Sequence, residues 1–176
     1  VSSVVLAESF VTTQVYSMRV WSKARVIEEM QQRRVIHGVS TLAATKSPPC
    51  RFLPQLICAF EDARRLFAVY SSRVVCELSS IVVPDEPLTE FTCRYYVSNV
   101  LLALGTRQIE GIVLRTICPE SLVITAEGFC QVTDFRSAKN MNTTDGGRTY
   151  TMCGAPNYLA PEMVTGQGHS CEVDLW

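Results

Sequence analysis

The sequence has little charge to spare on either side: 16 Lys plus Arg stand against 17 Asp plus Glu, a net charge of -1 over 176 residues. Without a basic surplus there is no broad attraction for nucleic acid or acidic membranes, and neither is expected as a partner. No apolar run approaches the ~20 residues that span a bilayer. Internal repeats and low-complexity tracts are also missing, which sets aside solenoids and linker-like chains. The eight cysteines, Cys50, Cys58, Cys76, Cys93, Cys118, Cys130, Cys153 and Cys171, include no Cys-x-x-Cys pair. Their wide spacing inside apolar segments argues against a zinc site or a bridged secreted scaffold and fits thiols in a reducing cytoplasm. The first residue is Val1 rather than Met, which leaves an N-terminal targeting signal open. What the chain does have is apolar mass: 47% hydrophobic against 19% charged residues predicts a packed core, at the size of one domain or part of a larger one.

Residues 1–7 and 15–21 are β-branched runs across a polar turn and predict an antiparallel hairpin. Over residues 23–39 the apolar Val26, Ile27, Met30, Val35 and Ile36 recur at helical spacing, with Gly38 as the stop. Ser47-Pro48-Pro49 marks a loop. Residues 52–60 and 65–70 then read as strands joined at Glu61-Asp62. Turn formers from Pro84 to Pro87 precede Thr89, an N-cap for a helix over 90–106 with Tyr95, Leu101 and Leu104 turned inward. Short strands at 122–125 and 130–133 are linked at Glu127-Gly128. Residues 134–154 are polar and Gly-rich and predict an exposed loop of a length usually reserved for function.

Several strings then follow in one order. Gln131-Val132-Thr133-Asp134-Phe135 leads to Ala138-Lys139, to Arg148-Thr149-Tyr150-Thr151-Met152-Cys153-Gly154, to Tyr158-Leu159-Ala160-Pro161-Glu162, and to Val173-Asp174-Leu175-Trp176. This succession closely resembles the activation segment and the start of the central helix of eukaryotic protein kinases, in the AGC group and of the cAMP-dependent type. The resemblance covers essentially the whole chain, with a small insertion at 142–146. It implies an α+β, two-lobed protein-kinase-like fold that is incomplete: an N-lobe at 1–72 without its first strand and most of the Gly-rich loop, and a partial C-lobe at 73–176. Ser2 falls at the final glycine of that loop. Glu162 is left without the downstream arginine it pairs with in the family, and the fragment is expected to expose apolar surface and to be marginal alone.

Phosphoryl transfer asks a protein for metal ions, phosphate clamps and a carboxylate near the attacking hydroxyl. By the resemblance, Arg19 stands at the phosphate-holding lysine and Gln32 at its glutamate partner; a guanidinium does not reproduce an ammonium at a packed site. Thr116, beside Arg115, stands at the catalytic base, Cys118 at the lysine that steadies the phosphate, and Ser121 at a metal-holding asparagine. A threonine hydroxyl has no pKa near neutrality and cannot act as the base. Cys118 lacks a histidine partner, since only His37 and His169 occur, and reads as an inert thiol. Asp134 keeps the metal-binding carboxylate, but Arg136 replaces the glycine that follows and brings a cation to the Mg²⁺ position. Val4 and Ser17 form the roof of the adenine slot, Val123 its floor and Tyr70 its back wall. Thr151 matches the regulatory phosphothreonine, with Arg115 and Lys139 as its cations and Glu28 where a histidine contact is lost. Ala155 replaces the threonine that would bond the lost base.

The resulting expectation is a Ser/Thr kinase-like domain with degraded catalytic motifs, a pseudokinase-like binding or regulatory module. ATP is expected to bind weakly at most, and Mg²⁺ is disfavoured. Glu77 and Glu120 match carboxylates that read arginines in a bound peptide, with Asn157 replacing another, so the expected partner is an arginine-containing pseudosubstrate or regulatory-subunit-like protein. A weakly active ATP-dependent Ser/Thr kinase and a non-functional truncated fragment remain as rivals.

Overall fold

Small and β-branched side chains put β1 (Ser2–Glu8) and β2 (Val15–Ser22) into an antiparallel hairpin, with Ser2 opposite Trp21 and Glu8 opposite Val15. A computed structural model describes residues 2–45, 48–83 and 85–176; Val1, the loop residue Ser47 and the turn former Pro84 lie outside the described residues. The helical segment that follows is two helices, α1 (Lys23–Glu28) and α2 (Gln32–Ala43). This corrects the expectation of one helix over 23–39. Met30 turns left-handed at φ 52°, Gln31 N donates to Val26 O and Met30 N to Ile27 O, which together close α1 in a Schellman motif. Gly38 is not a stop. It sits buried inside α2, where an added Cβ would come within 3.2 Å of the Arg136 backbone nitrogen.

β3 (Leu56–Glu61) begins later than residue 52, and β4 (Arg65–Tyr70) completes a four-stranded antiparallel sheet of order β1-β2-β4-β3. Its inner face carries Trp21 and Ala68, packed with Val26 and Val35 of the two helices. The chain then enters β5 (Val74–Glu77), α3 (Glu90–Ile109), β6 (Ile112–Val113), β7 (Leu122–Thr125), β8 (Cys130–Val132) and β9 (Lys139–Asn140). β5, β7 and β8 form a second sheet in that order, while β6 pairs with β9.

Thr89 caps α3, its hydroxyl accepting from Thr92 N at 3.2 Å. The buried face of α3 is Asn99, Ala103, Leu104 and Arg107; Tyr95 and Leu101, expected inside, are exposed. Two polar residues on the inner stripe hid its period. Asn99 earns its place by accepting from Cys130 N at 3.1 Å, and the Arg107 guanidinium lies 5.4 Å from the Phe135 ring centre. Segment 134–154 is likewise not the wholly exposed loop expected, because Phe135, Ala138, Met141 and Thr149 are buried. Its insertion is folded into short 3₁₀ turns at Met141–Thr143 and Asp145–Gly147. The motif at 173–176 forms a 3₁₀ turn, Cys171–Leu175. Large apolar side chains stay exposed, among them Phe91, Leu101, Leu102 and Ile109 on α3 and the terminal Trp176.

Candidate active-site cleft

Residues 114–121, between β6 and β7, form a loop whose backbone is held from below. Asp174 Oδ2 accepts from Leu114 N at 2.7 Å and Oδ1 from Arg115 N at 2.6 Å. Burial pushes the Asp174 carboxyl up to about 6 despite those two bonds and the Arg115 charge, which act the other way. Arg115 has φ 66°, and its Nε donates to Ser137 O at 2.8 Å. The loop is thereby tied both to the end of the chain and to the segment after Phe135. The sequence reading took Asp174 only as part of a helix start; a lone carboxylate between Val173 and Leu175-Trp176 was the available signal, since a charge inside an apolar string is rarely buried without partners.

The reacting positions above this scaffold are occupied differently. A cavity of about 460 Å³ is lined by Gln31, Arg34, Thr116, Glu120, Asp134 and Arg136 among others. Thr116 Oγ1 points to the main-chain oxygens of Leu114 and Asp134, at 3.4 and 3.5 Å. Ser121 Oγ accepts from Cys118 N at 3.0 Å and donates to Cys118 O at 2.8 Å, so its hydroxyl closes the local turn. Burial and the neighbouring Glu120 raise the Cys118 thiol above its ordinary range, which keeps it protonated and unreactive.

Asp134 is sealed by its neighbour. Arg136 N and Nε donate to Asp134 Oδ1, both at 3.0 Å, and Nη2 donates to Oδ2 at 2.7 Å. Burial would raise this carboxyl, but the hydrogen bonds and charge of Arg136, with help from Arg19, hold it below the usual carboxylate range. With both carboxylate oxygens on a guanidinium and Ser121 engaged with the backbone, the side chains at these positions do not fit a divalent metal. Among the described residues, no group of three or more His, Cys, Asp or Glu is placed to hold one.

The slot between the sheets gathers Val4, Ser17, Arg19, Tyr70 and Val123, with Gln131 and Thr133. Its free volume is about 20 Å³, room for roughly one water and well short of the ~300 Å³ at which ligand pockets begin. Four contacts close it. Ser17 Oγ, fully buried, accepts from Val74 N at 2.7 Å across the two sheets. Ser72 Oγ donates to Gln131 Oε1 at 2.8 Å, and Gln131 Nε2 to Arg51 O at 2.7 Å. Arg19 turns to Thr133, its Nη2 reaching Oγ1 at 3.4 Å. The expected Arg19–Gln32 contact is not made among the described residues. The break at Met30 makes Gln32 the first residue of α2, and Gln31 lines the cleft instead.

In the activation segment, Lys139 Nζ donates to the buried Thr149 Oγ1 at 2.7 Å. Thr151 is exposed, and neither Arg115 nor Lys139 is bonded to it. The segment's start is instead pinned to α2, with His37 Nε2 2.6 Å from Ala138 O. Glu77 lies opposite Val123 in the β5–β7 ladder, Val123 is three residues from Glu120, and both acids are exposed. Asn157 lines the same cavity as Glu120.

The protein kinase domain family matches the chain over residues 1–176. Among curated proteins, a RAC family serine/threonine-protein kinase homolog of Dictyostelium discoideum is 33% identical over 165 residues, covering 94% of this chain and 36% of the relative. The cAMP-dependent protein kinase catalytic subunit of the same organism is 31% identical over 161 residues, 92% of this chain and 24% of the relative. A catalytic subunit-like cAMP-dependent protein kinase of Caenorhabditis elegans is 31% identical over 171 residues, 97% of this chain and 41% of the relative. The chain thus spans less than half the length of these relatives.

Proposed function

The chain belongs to the protein kinase family, and from that premise we propose that it is a Ser/Thr-kinase-like, cytoplasmic binding or regulatory module that does not transfer phosphate. The observation that carries this reading is that Thr116 stands at the base position while Asp134, which lines the same cavity, is taken up by Arg136. A positioned base contributes about 10²- to 10⁴-fold in rate. Protein kinases work on ATP with Mg²⁺; here the filled slot and sealed Asp134 support weak nucleotide binding at most. Incubation of the chain with radiolabelled ATP and a basic peptide is expected to transfer no label. Transfer that disappears in Asp134→Ala would overturn the reading.

The proposed partner is an arginine-bearing pseudosubstrate segment, docked on Glu77 and Glu120. Both acids are exposed, and the strand partner of Glu77, Val123, is three residues from Glu120; charge-assisted contacts to arginine are worth about 1.5 to 3 kcal/mol each. Glu120→Ala is therefore expected to weaken a two-arginine peptide by roughly 10- to 150-fold in calorimetry. Equal affinity of the wild type and the Glu77→Ala/Glu120→Ala double variant removes the docking site.

A further inference from the structure

The carboxylate that would face a metal already has a cation, and the chain supplies it. We propose that Arg136 is a built-in substitute for a divalent ion on Asp134, so that the cleft is neutralised by the fold itself and is closed to Mg²⁺ and Mn²⁺. The pairing is short in sequence and complete in geometry: backbone N, Nε and Nη2 of Arg136 engage both oxygens of Asp134. A fork of this kind matches a carboxylate far better than a single ammonium does. Asp134 is the less exposed partner, at 13% against 40% for Arg136, and both side chains line the cleft. Arg19 adds a second positive charge acting on Asp134. A divalent ion entering here would meet the charges of Arg136 and Arg19 beside the Asp134 carboxylate.

The segment that carries Arg136 is packed against α2. The backbone of Phe135 and Arg136 passes directly against Gly38 of α2, where any side chain would intrude at 3.2 to 3.3 Å. His37 holds the next turn through Ala138 O. Arg136 is thus delivered to Asp134 by a packed segment rather than by a loose side chain on the surface.

This deepens the binding-module reading and rests on it only for the identity of the cleft. The test is Mn²⁺ alone, followed by water-proton relaxation, on the wild-type chain, Arg136→Gln, Arg136→Gly, Asp134→Asn and the Asp134→Asn/Arg136→Gln double variant. If the pair is open less than about one part in ten, breaking it tightens apparent Mn²⁺ binding by about tenfold or more. The expected result is no site on the wild type, a site on Arg136→Gln and Arg136→Gly, and its loss in the double variant. Saturable binding to the wild type that disappears in Asp134→Asn overturns the proposal, and this measurement stands even where an Arg136 variant fails to fold. A gain that survives in the double variant, or no gain in folded Arg136 variants, overturns it equally. Saturable, Asp134-dependent Mn²⁺ binding by a wild type that transfers no phosphate removes this proposal and leaves the proposed function standing, so the two failures are separable.

Discussion

The underside of the 114–121 loop and its cleft-facing side follow opposite rules. Below, Asp174 satisfies two backbone N–H groups and Arg115 reaches Ser137 O; these bonds shape a kinase catalytic loop whether or not chemistry occurs on it. Above, Thr116, Cys118 and Ser121 turn their polar atoms back into their own loop or toward the main chain, and Arg136 closes over Asp134. The contrast teaches that the loop's shape and its reactivity are set by different residues. A chain can keep the first while the second is replaced, because the scaffold bonds are to backbone groups that every sequence has.

The largest effect that tests this contrast is on the scaffold. Asp174→Ala strips partners from two N–H groups at a buried site, each costing about 1 to 3 kcal/mol, and should lower unfolding stability by roughly 2 to 5 kcal/mol. Denaturant titration measures it. The pH dependence has a definite sign: the Asp174 carboxyl is raised to about 6 from 3.8, so its contribution is fully present below about 3.8 and is lost as pH rises through about 6. The gap between wild type and Asp174→Ala should therefore widen on acidification from neutrality. A gap that narrows as the pH falls would count against the buried carboxylate.

Ser17→Ala comes next and probes the filled slot. It removes the acceptor for Val74 N and should cost about 1 to 2 kcal/mol. Because Tyr70, Arg19 and the Ser72–Gln131–Arg51 chain still occupy the space, the variant should gain no nucleotide-dependent rise in melting temperature. A large rise with ATP would mean that this one hydroxyl keeps the slot shut.

Much of this arrangement is legible in the sequence. The hairpin, β4, β7 and the Thr89 cap follow from alternation and side-chain chemistry that act within a few residues. The kinase-like fold follows from ordered strings such as Tyr158-Leu159-Ala160-Pro161-Glu162, and the proximity of Arg136 to Asp134 from their spacing. Legibility ended where the decisive contact was long-range or polar. Asn99 and Arg107 blurred the inner stripe of α3, Gly38 looked like a helix stop because its packing against Arg136 lies 98 positions away in the chain, and the bond from Lys139 to the buried Thr149 has no signal in the sequence. The break at Met30 was hidden for another reason: nothing in a methionine announces a left-handed conformation.

That conformation supplies the finest test, because two of the three described non-glycine residues that share it lie in regions with different duties. Met30 has φ 52° and Arg115 φ 66°. Left-handed backbone costs an L-residue about 1 to 2 kcal/mol, while glycine gives back roughly 0.5 to 1 kcal/mol through its looser unfolded chain. Met30 is 84% exposed, so its side chain has almost no burial to lose, and Met30→Gly should stabilise by about 0.5 kcal/mol. Arg115→Gly relieves the same strain but deletes the bond to Ser137 O and its partly buried stem, and should destabilise by about 1 kcal/mol. Opposite signs at matched φ would show that strain in the catalytic loop is maintained by a side-chain contact, whereas strain between α1 and α2 is carried by the Schellman turn alone. Equal signs in paired denaturation curves would remove that distinction.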